Sequence, residues 1–404
     1  MVGEFIRAAE KAIEKIYSWP RKRVSIYHHN DADGLCSGAI LASAFQRKGY
    51  GVKRACLEKP YPAILEKIYR KQGEILIFAD FAGRIAPLLS RLNQGRNLTI
   101  ILDHHVAEEA TDQMVYNLDP DLFGLKGDRD ISASTTCYIF ARTMDEYNID
   151  LAHIGTLGAV GDGFFVQGRL VSENRQAALA AAGQGRLEIV AGADGEEYML
   201  ETAQGKISCA ELGEYLDILG GAGYNSDGPD AGIEVCLKGP DADSDRVVEH
   251  LKRIKEDAFT LEIEKLKRGS LIQSPNIQWF NLERRFYPMG VKMVGVFCET
   301  LKEQQFIDPH KYIAGFQIIP DEIPGFGPVD MSQVKISMRV AEYLERQIRD
   351  RSAMGLDVLL PQATAELGGF SDACHSLTAA TTLAIGLEEK LIGEMEKLIT
   401  TFGK

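Results

Sequence analysis

The sequence predicts an α/β protein with an N-terminal parallel-sheet domain that carries helices on both faces, a connecting helix, and a smaller C-terminal mixed-sheet α/β domain. Apolar runs rich in β-branched residues alternate with helical patterns in the first part of the chain, which is typical of a parallel sheet. A long, highly charged helical pattern at 243–269 then separates this part from further strand-like runs. A chain of 404 residues is long enough for two domains with cores of their own. We therefore expect domains at 1–240 and 271–404, joined by a helix at 241–270.

Hydrophobic spacing gives the elements of the first domain. Residues 4–17 place apolar side chains on one face of a helix, whereas 98–102 is a continuous apolar run that indicates a buried strand. By these criteria the predicted strands are 24–28, 51–57, 75–80, 98–103 and 114–117. The predicted helices are 4–17, Ser37–Arg47, Ser134–Glu146 and 151–160.

The second half of the chain has weaker patterns. Residues 177–182 have a helical composition, and the glycine-rich stretch 219–229 predicts a loop. After the connecting helix, the predicted strands of the mixed sheet are 277–281, 290–298, 311–319 and 333–340. Residues 357–360 are ambiguous, and 376–402 are predicted to close the chain as a helix.

The bulk composition limits the class of function. The net charge of −13 argues against a protein that grips long duplex DNA, because such binding depends on neutralising phosphates with basic side chains. No apolar stretch approaches the roughly 20 residues of a membrane span, and the N-terminus lacks the pattern of a signal peptide. The seven cysteines have no C-x-x-C spacing, which favours a reducing, cytoplasmic location. Nothing in the sequence indicates a particular oligomeric state.

Four short segments with metal-binding side chains follow strands or a helix in the first domain. They are His29-Asn30-Asp31-Ala32-Asp33-Gly34, Asp80 after a buried strand, Asp103-His104-His105, and Asp162 between two glycines. Each segment alone is most simply a turn, but the carboxyl ends of parallel strands meet at one edge of a sheet. If the chain stays extended after the first strand, Asp31 and Asp33 point to the same side. Mixed oxygen and imidazole donors suit two divalent cations, foremost Mn²⁺, with Mg²⁺, Co²⁺, Fe²⁺ or Zn²⁺ as alternatives.

Together the four segments resemble the motifs of the DHH phosphoesterase superfamily, which is named for the run Asp103-His104-His105. The resemblance implies that Asp31 and Asp33 bind metal and that Asp80 bridges the two ions. It further implies a role for each remaining motif residue. His104 and Asp162 bind metal, His105 contacts the scissile phosphate, and Asp103 braces the histidine pair.

The first motif separates subtypes of the family. Small pyrophosphatase and oligonucleotidase members have a histidine four residues before the Asp-x-Asp, where this chain has Tyr27. RecJ-type exonucleases have an acidic residue two positions before it, where this chain has His29. The spacing therefore favours the RecJ-like subtype, with His29 as a metal ligand and His28 as the alternative.

Further segments resemble substrate-binding parts of the same family. The loop 223–228, which contains Asn225, resembles the Asn-containing loop of RecJ-type members, although Pro229 replaces the usual arginine. Ser337 and Arg339 resemble the Ser-x-Arg strand of the DHH-associated C-terminal domain, in which the arginine holds a substrate phosphate. A guanidinium suits that role because it binds phosphate oxygens bidentately.

A glycine pair near the C-terminus departs from the family pattern. Gly368 and Gly369 resemble the start of the Gly-Gly-His signature, but Phe370 occupies the position of the histidine. We expect His375 to substitute for it, and a helix from about residue 376 to present its N-terminal amides to an anion.

The resemblance implies two-metal hydrolysis of phosphodiester bonds in single-stranded DNA or RNA or in short oligonucleotides, as in RecJ-like exonucleases. A second hypothesis is a phosphodiesterase or phosphatase for cyclic dinucleotides or nucleoside bisphosphates. A third, of another class, is a non-catalytic scaffold that binds nucleic acid or a replication or repair partner. The retention of all the expected ligands argues against this third hypothesis.

Overall fold

A computed structural model describes residues 2–402, apart from the side chains of 372 and 373. The chain divides into two compact units, of which the first ends at Leu251 and the second begins at Lys252. Of the helices in the part described, none combines the length and the apolar character that crossing a membrane requires.

The first unit is built on a sheet of five parallel strands. They are β1 (Arg23–His28), β2 (Gly51–Cys56), β3 (Ile75–Ala79), β4 (Leu98–Leu102) and β5 (Val115–Asn117). Their order across the sheet is β2-β1-β3-β4-β5. From β1 the chain moves to β2 on one side of the sheet, whereas from β3 it moves to β4 on the other side. The connections that leave β1 and β3 therefore run in opposite directions from the β1–β3 boundary. In sheets of this kind, ligands bind at the carboxyl ends of the strands next to that boundary.

Helices connect and cover these strands. They are α1 (Val2–Ser18), α2 (Ala32–Arg47), α3 (Pro62–Tyr69), α4 (Ala86–Asn93), α5 (Ala133–Met144), α6 (Ala152–Gly161) and α7 (Ser172–Gly183), with short 3₁₀ turns at Pro120–Phe123 and Glu146–Leu151. Right-handed crossovers put α2 on one face of the sheet and α3 and α4 on the other. The α/β class and the parallel sheet are confirmed.

The rest of the first unit contains a small sheet that the sequence analysis did not predict. Its antiparallel strands are β6 (Leu187–Ala191), β7 (Glu196–Thr202) and β8 (Gly205–Ser208). They are followed by α8 (Cys209–Asp217), a π-helical turn (Ile218–Ala222) and α9 (Gly228–Lys238). The predicted loop at 219–229 is therefore wrong at both ends, because its glycines serve close packing rather than a flexible connection. A Cβ on Gly220 would lie 1.8 Å from the carbonyl oxygen of Asn30.

A long helix, α10 (Ala242–Lys265), runs across the division between the units and ends in a π-helical turn (Leu266–Ser270). The strands of the second unit are β9 (Ile272–Gln273), β10 (Ile277–Asn281), β11 (Tyr312–Ile318), β12 (Glu322–Ile323), β13 (Gly327–Pro328), β14 (Gln333–Val340), β15 (Phe370–Cys374) and β16 (Thr378–Ala384). Its helices are α11 (Met293–Leu301), α12 (Glu342–Arg349), α13 (Leu356–Glu366) and α14 (Glu388–Thr401). Six of the strands form a mixed sheet in the order β15-β16-β14-β11-β10-β9, in which the β10–β11 pair is parallel.

Two element assignments in the second unit were wrong. The predicted strand 290–298 is part of α11, because the apolar residues Met293, Phe297 and Leu301 repeat every four residues and share one buried helix face. The predicted helix 376–402 begins only at Glu388, since residues 378–384 pair with β14 as a strand. Alanine has the highest helix propensity, but propensity is a small contribution, and the pairing of β16 between two other strands outweighs it.

The close approach of Gly220 to Asn30 gives a stability prediction. Gly220→Ala should lower the free energy of unfolding by about 1–3 kcal/mol, because the new methyl group overpacks a backbone contact. Gly183→Ala is the matched control: it lies at the end of α7 with nothing within 4 Å, and should be neutral or stabilising by up to about 1 kcal/mol. Urea unfolding of the two variants measures the difference. Equal stability would show that the contact between residues 220 and 30 is loose.

Candidate metal centre

Three of the four candidate metal-binding segments begin where neighbouring strands end. The first segment follows β1, Asp80 follows β3, and Asp103 follows β4, and these strands are adjacent in the order β1-β3-β4. All three lie beside the β1–β3 boundary at the carboxyl edge of the sheet, where such folds bind their ligands.

The first segment changes from strand to helix within three residues. The amide of His29 still donates to the carbonyl of Ala79, as a continuation of the sheet (3.2 Å). Asp31 then caps α2 by accepting a hydrogen bond from the amide of Gly34 (3.0 Å). A Cβ on Gly34 would lie 2.5 Å from the carbonyl oxygen of His29, so only glycine allows this tight entry into the helix.

The extended conformation expected for the Asp-x-Asp is therefore wrong, and α2 begins at Ala32 rather than at Ser37. The helical turn directs the two carboxylates to different neighbours. Asp31 lies beside His29, with 2.7 Å between Oδ2 and Nδ1. Asp33 is buried and accepts hydrogen bonds from the amides of Ala133 (2.8 Å) and Ser134 (3.0 Å) at the start of α5, where the helix dipole favours a negative charge.

Asp80 lies between two imidazoles. Its Oδ2 is 3.5 Å from Nδ1 of His29, and its Oδ1 is 3.5 Å from Nε2 of His104. The side chain is only 4% exposed, and its backbone has a left-handed φ of 65°. This φ is uncommon for a residue other than glycine, although aspartate tolerates it better than most.

The two histidines of the third segment are each oriented through Nδ1. Nδ1 of His104 lies 2.5 Å from the carbonyl oxygen of Gly127, so Nδ1 carries the proton and Nε2 faces Asp80 and Asp162. Nδ1 of His105 donates to Asp103 (2.7 Å), which also accepts from the amides of Gly83 and His104 (2.8 Å each). Both carboxylate oxygens of Asp103 thus accept hydrogen bonds that position its neighbours. Residues that orient metal ligands without binding the metal commonly have this role.

Ligand atoms of the four segments form two separate groups of three, with all ligand atoms in a group within 4.8 Å of one another. One group is His29, Asp31 and Asp80, and the other is Asp33, His104 and Asp162. An overlapping set joins Asp80 and His104 to Asp103 and His105, which hydrogen-bond to each other. Asp80 also lies beside His104, so its carboxylate adjoins both groups. Asp162, which caps the end of α6, is the most open member at 38% exposed.

The electrostatics of the cluster show an excess of negative charge. Burial by itself lowers the pKa of His29, but Asp31 and Asp80 outweigh it and raise that pKa to about 9. In the same way, Asp80 and Asp162 outweigh the burial of His104 and hold its pKa well above the usual range. Burial, followed by the charge of Asp80, raises the pKa of Asp33 to about 6. In each case the group keeps its proton to a higher pH, and the added positive charge reduces the repulsion between carboxylates held close together in a poorly solvated site.

The residues present fit a pair of divalent cations. Imidazole nitrogens and carboxylate oxygens are ligands that first-row divalent ions accept, and each group supplies three of them. Oδ2 of Asp80 is buried and makes no hydrogen bond with the described residues, although Nδ1 of His29 lies 3.5 Å away. A buried carboxylate oxygen without a hydrogen bond is costly, and a cation bound at this position would reduce that cost.

His28, the alternative ligand, is not part of the cluster. It is buried below α2, where a Cβ on Gly38 would lie 2.7 Å from its ring, and its Nδ1 donates to the carbonyl of His29 (2.8 Å). Burial lowers the pKa of His28 to about 4. The residue therefore packs as a neutral side chain of the core.

Asn225 lies in the turn between the π-helical turn and α9, at the same end of the sheet as the metal-binding segments. The hydroxyl of its neighbour Tyr224 donates to the carbonyl of Cys56 at the end of β2 (3.3 Å). The preceding glycine-rich turn packs on the first segment, since the side-chain amide of Asn30 donates to the carbonyl of Gly220 (3.0 Å).

In the second unit, Ser337 and Arg339 lie two residues apart on β14 and therefore share one face of the strand. Both are close to Gly295 in α11, where a Cβ would lie 3.3 Å from the hydroxyl of Ser337 and 3.1 Å from the Arg339 guanidinium. Nε of Arg339 donates to Glu299 (3.1 Å), whose side chain is half exposed. A phosphate at this position has to compete with that carboxylate.

The remaining three candidates lie at opposite ends of β15. Gly368 has a left-handed φ of 70°, and the amide of Gly369 donates to the carbonyl of Thr364 (2.9 Å), which together end α13 in the usual glycine-dependent way. His375 instead lies in the exposed turn between β15 and β16, where its amide donates to the carbonyl of Thr378 (2.8 Å). The expected helix N-terminus at residue 376 is absent from this described segment, because 378–384 is a strand.

Three residues that the sequence analysis did not select support the centre. Asp119 is fully buried behind Gly83, with Oδ2 lacking any hydrogen-bond donor among the described residues, and burial followed by the charge of Asp103 raises its pKa well above the usual range. Gly127 supplies the carbonyl that orients His104. Asp217 accepts a hydrogen bond from the amide of Ala32 at the start of α2 (3.2 Å). None has a sequence signal of its own, because each is defined by a contact with a distant segment.

Sequence comparison places part of the first unit in a known protein family. Residues 23–159 match the sequence profile described as "DHH family, N-terminal domain". An uncharacterized protein of Methanocaldococcus jannaschii is 30% identical over 167 residues, which is 38% of this chain and 37% of that protein. The match thus spans little more than a third of this relative's length.

Solved structures are similar over nearly the whole chain. RecJ from Thermus thermophilus in complex with Mn²⁺ has a TM-score of 0.62 at 14% identity, over 98% of this chain and 55% of RecJ. A structure of exonuclease RecJ bound to manganese has a TM-score of 0.60 at 13% identity, over 98% of this chain and 95% of that one. At these identities the similarity establishes the fold.

Proposed function

The chain belongs to the DHH superfamily and has a RecJ-like fold, and on this premise we propose that it is a metal-dependent phosphoesterase. Its proposed substrates are phosphodiester bonds in single-stranded nucleic acid or short oligonucleotides, cleaved from an end. The proposed cofactor is a pair of divalent cations, most suitably Mn²⁺, with Mg²⁺ or Co²⁺ as alternatives. A RecJ structure that contains manganese supports this choice of ion.

The observation that carries the proposal is the position of Asp80 between two groups of ligands. In the proposed assignment, His29 and Asp31 hold one cation, Asp33, His104 and Asp162 hold the other, and Asp80 is shared. When bound, such a pair lowers the pKa of a coordinated water and neutralises charge on the phosphoryl oxygens.

The protein's own part in the reaction is to position groups around the phosphate. Nδ1 of His105 is fixed by Asp103, so its Nε2 is the ring atom that can donate to a phosphoryl oxygen. The amides at the start of α5 hold Asp33 in place, and the carbonyl of Gly127 holds His104 in the tautomer that leaves Nε2 for the metal. Groups fixed in this way need no reorganisation as negative charge develops in the transition state.

In the second unit, we assign phosphate binding to Arg339 with Ser337 beside it. The guanidinium matches phosphate oxygens better than a lysine would, and the half-exposed Glu299 is a partner that an incoming phosphate can replace. His375 belongs to the same proposal, because Arg339 pairs with Thr378, the residue whose carbonyl accepts from the amide of His375. Asn225 remains a proposed substrate contact on the loop beside the first segment. Gly368 and Gly369 also remain proposed substrate contacts, in addition to ending α13.

The direct test is hydrolysis of end-labelled single-stranded DNA and RNA, from dinucleotide to 20-mer, in the presence of Mn²⁺. We expect stepwise release of mononucleotides that depends on the metal and disappears in Asp80→Ala. If the wild type cleaves no oligomer, the exonuclease proposal is wrong. Cyclic dinucleotides and nucleoside bisphosphates are then the next substrates, and unchanged nucleic-acid binding by Asp80→Ala would favour a scaffold.

The two adjacent histidines should behave differently when substituted. His105→Ala should lower kcat by about 10²- to 10³-fold through the loss of one charge-stabilising donor, while Mn²⁺ still raises the melting temperature. His104→Ala should lose both hydrolysis and much of that metal-dependent stabilisation. Thermal melts with and without Mn²⁺, measured beside the hydrolysis rates, separate the roles. Equal loss of metal stabilisation in both variants would make His105 a ligand instead.

A further inference from the structure

An exposed phenylalanine lies three residues beyond the metal-binding Asp162. The backbone turns sharply here, with Gly163 at a φ of 76° and the amide of Phe165 donating to the carbonyl of Gly163 (2.7 Å). Phe164 is buried, and its ring centroid is 5.3 Å from that of His104. Phe165, the next residue, is 41% exposed. Phe165 therefore offers an exposed aromatic ring three residues from Asp162 and next in sequence to the residue that packs on His104.

The segment that carries Phe165 is firmly attached to the small β6–β8 sheet. A two-residue turn at Gln167 and Gly168 reverses the chain, and the carbonyl of Gly168 accepts from the amide of Glu196 (2.7 Å). The hydroxyl of Tyr198 accepts from the amide of Leu170 (2.9 Å), and the Tyr198 ring lies behind Phe165 with 6.3 Å between centroids. The aromatic surface is thus preorganised, which reduces the entropy lost when a ligand is bound.

The exposure of the Phe165 ring to water is unfavourable for folding, whereas the adjacent Phe164 is buried. The other exposed aromatic residues described in the first unit are Tyr17 and Tyr147, whose phenol groups tolerate water. An exposed aromatic ring suits a ligand part that is flat and uncharged. Nucleobases have this character, and they stack on aromatic side chains with little regard to sequence.

We propose that Phe165 is the platform on which a nucleobase of the substrate stacks while the adjoining phosphodiester occupies the metal centre. This inference rests on the proposed function and adds how the substrate is recognised: a nucleobase is bound as well as the phosphodiester, so a base-free ester of the same length is a poorer substrate. Phe165 is then a specificity-determining residue, and it contributes through binding a part of the substrate that does not react.

The test compares two oligomers of equal length, a single-stranded oligodeoxynucleotide and its fully abasic tetrahydrofuran analogue. Stacking is typically worth a factor of roughly 5 to 150 per base. Phe165→Ala should therefore lower kcat/KM for the base-bearing oligomer by about that factor, mainly through KM, and leave the abasic oligomer unchanged. Phe165→Trp should retain the wild-type preference. Tyr147→Ala, which removes an aromatic ring that is 86% exposed elsewhere in the same unit, is the matched control and should change neither rate.

The inference is overturned if Phe165→Ala preserves the wild-type ratio of the two rates, whether both are unchanged or both fall together. If the wild type hydrolyses neither oligomer, the proposed function is wrong. The stacking role of Phe165 is then tested by measuring binding instead of hydrolysis. Fluorescence anisotropy with Ca²⁺ in place of Mn²⁺ then measures the Kd of both oligomers. If Phe165→Ala raises the Kd for the base-bearing oligomer but not for the abasic oligomer, the stacking role is supported. If the Kd for the base-bearing oligomer is unchanged, the stacking role is wrong.

Discussion

The buried carboxylate of Asp80 is the group around which the rest of the centre is arranged. It lies 3.5 Å from an imidazole on either side, on a backbone whose left-handed φ directs it into the space between β1 and β4. The conformation persists because β3 fixes the residue before it, and the amide of Asp80 itself donates to the carbonyl of Leu102 (2.9 Å). A strained residue held by its surroundings in this way is typical of functional sites.

The second layer of the site restrains the groups that surround Asp80. Asp33 is held by two amides at the start of α5, His104 by the carbonyl of Gly127, and His105 by Asp103. These partners come from segments far apart in the chain, so the centre forms only when the whole first unit folds. The arrangement keeps several carboxylates close together. A divalent cation bound among them would relieve their mutual repulsion, which favours binding.

The sequence predicted the membership of the site better than its geometry. Seven of its residues follow β1, β3 or β4, whose carboxyl ends share one edge of the sheet, so predicting their proximity needs only the position of each strand end; they are His29, Asp31, Asp33, Asp80, Asp103, His104 and His105. Asp162 instead lies at the end of α6, close to Asp33 and His104. The positions of the strand ends do not specify the local conformation. The chain enters α2 directly after Asp31, so the expected alternation of the two carboxylates failed. Asp119 was not selected as a site residue, because its burial behind Gly83 and beside Asp103 depends on contacts between distant segments.

The second unit was harder to predict because its elements depend on partners distant in sequence. The run 290–298 is apolar enough for a strand or a helix, and only its packing as α11 decides between them. Residues 378–384 form a strand because β14 and β15 pair with them on both sides. The glycine pair at 368–369 was predicted to contact substrate from its likeness to a family signature, and the structure adds that the same pair ends α13.

The most direct measurement of the central claim is the number and the magnetic coupling of Mn²⁺ ions bound per chain, determined by metal titration and electron paramagnetic resonance. If Asp80 is shared by two ions, the wild type should bind two Mn²⁺ whose spectrum shows exchange coupling, as expected for ions about 3.5–4 Å apart. Asp80→Asn should lose that coupling and at least one of the ions. A wild type that binds a single Mn²⁺, or an Asp80→Asn variant that retains a coupled pair, would contradict the account.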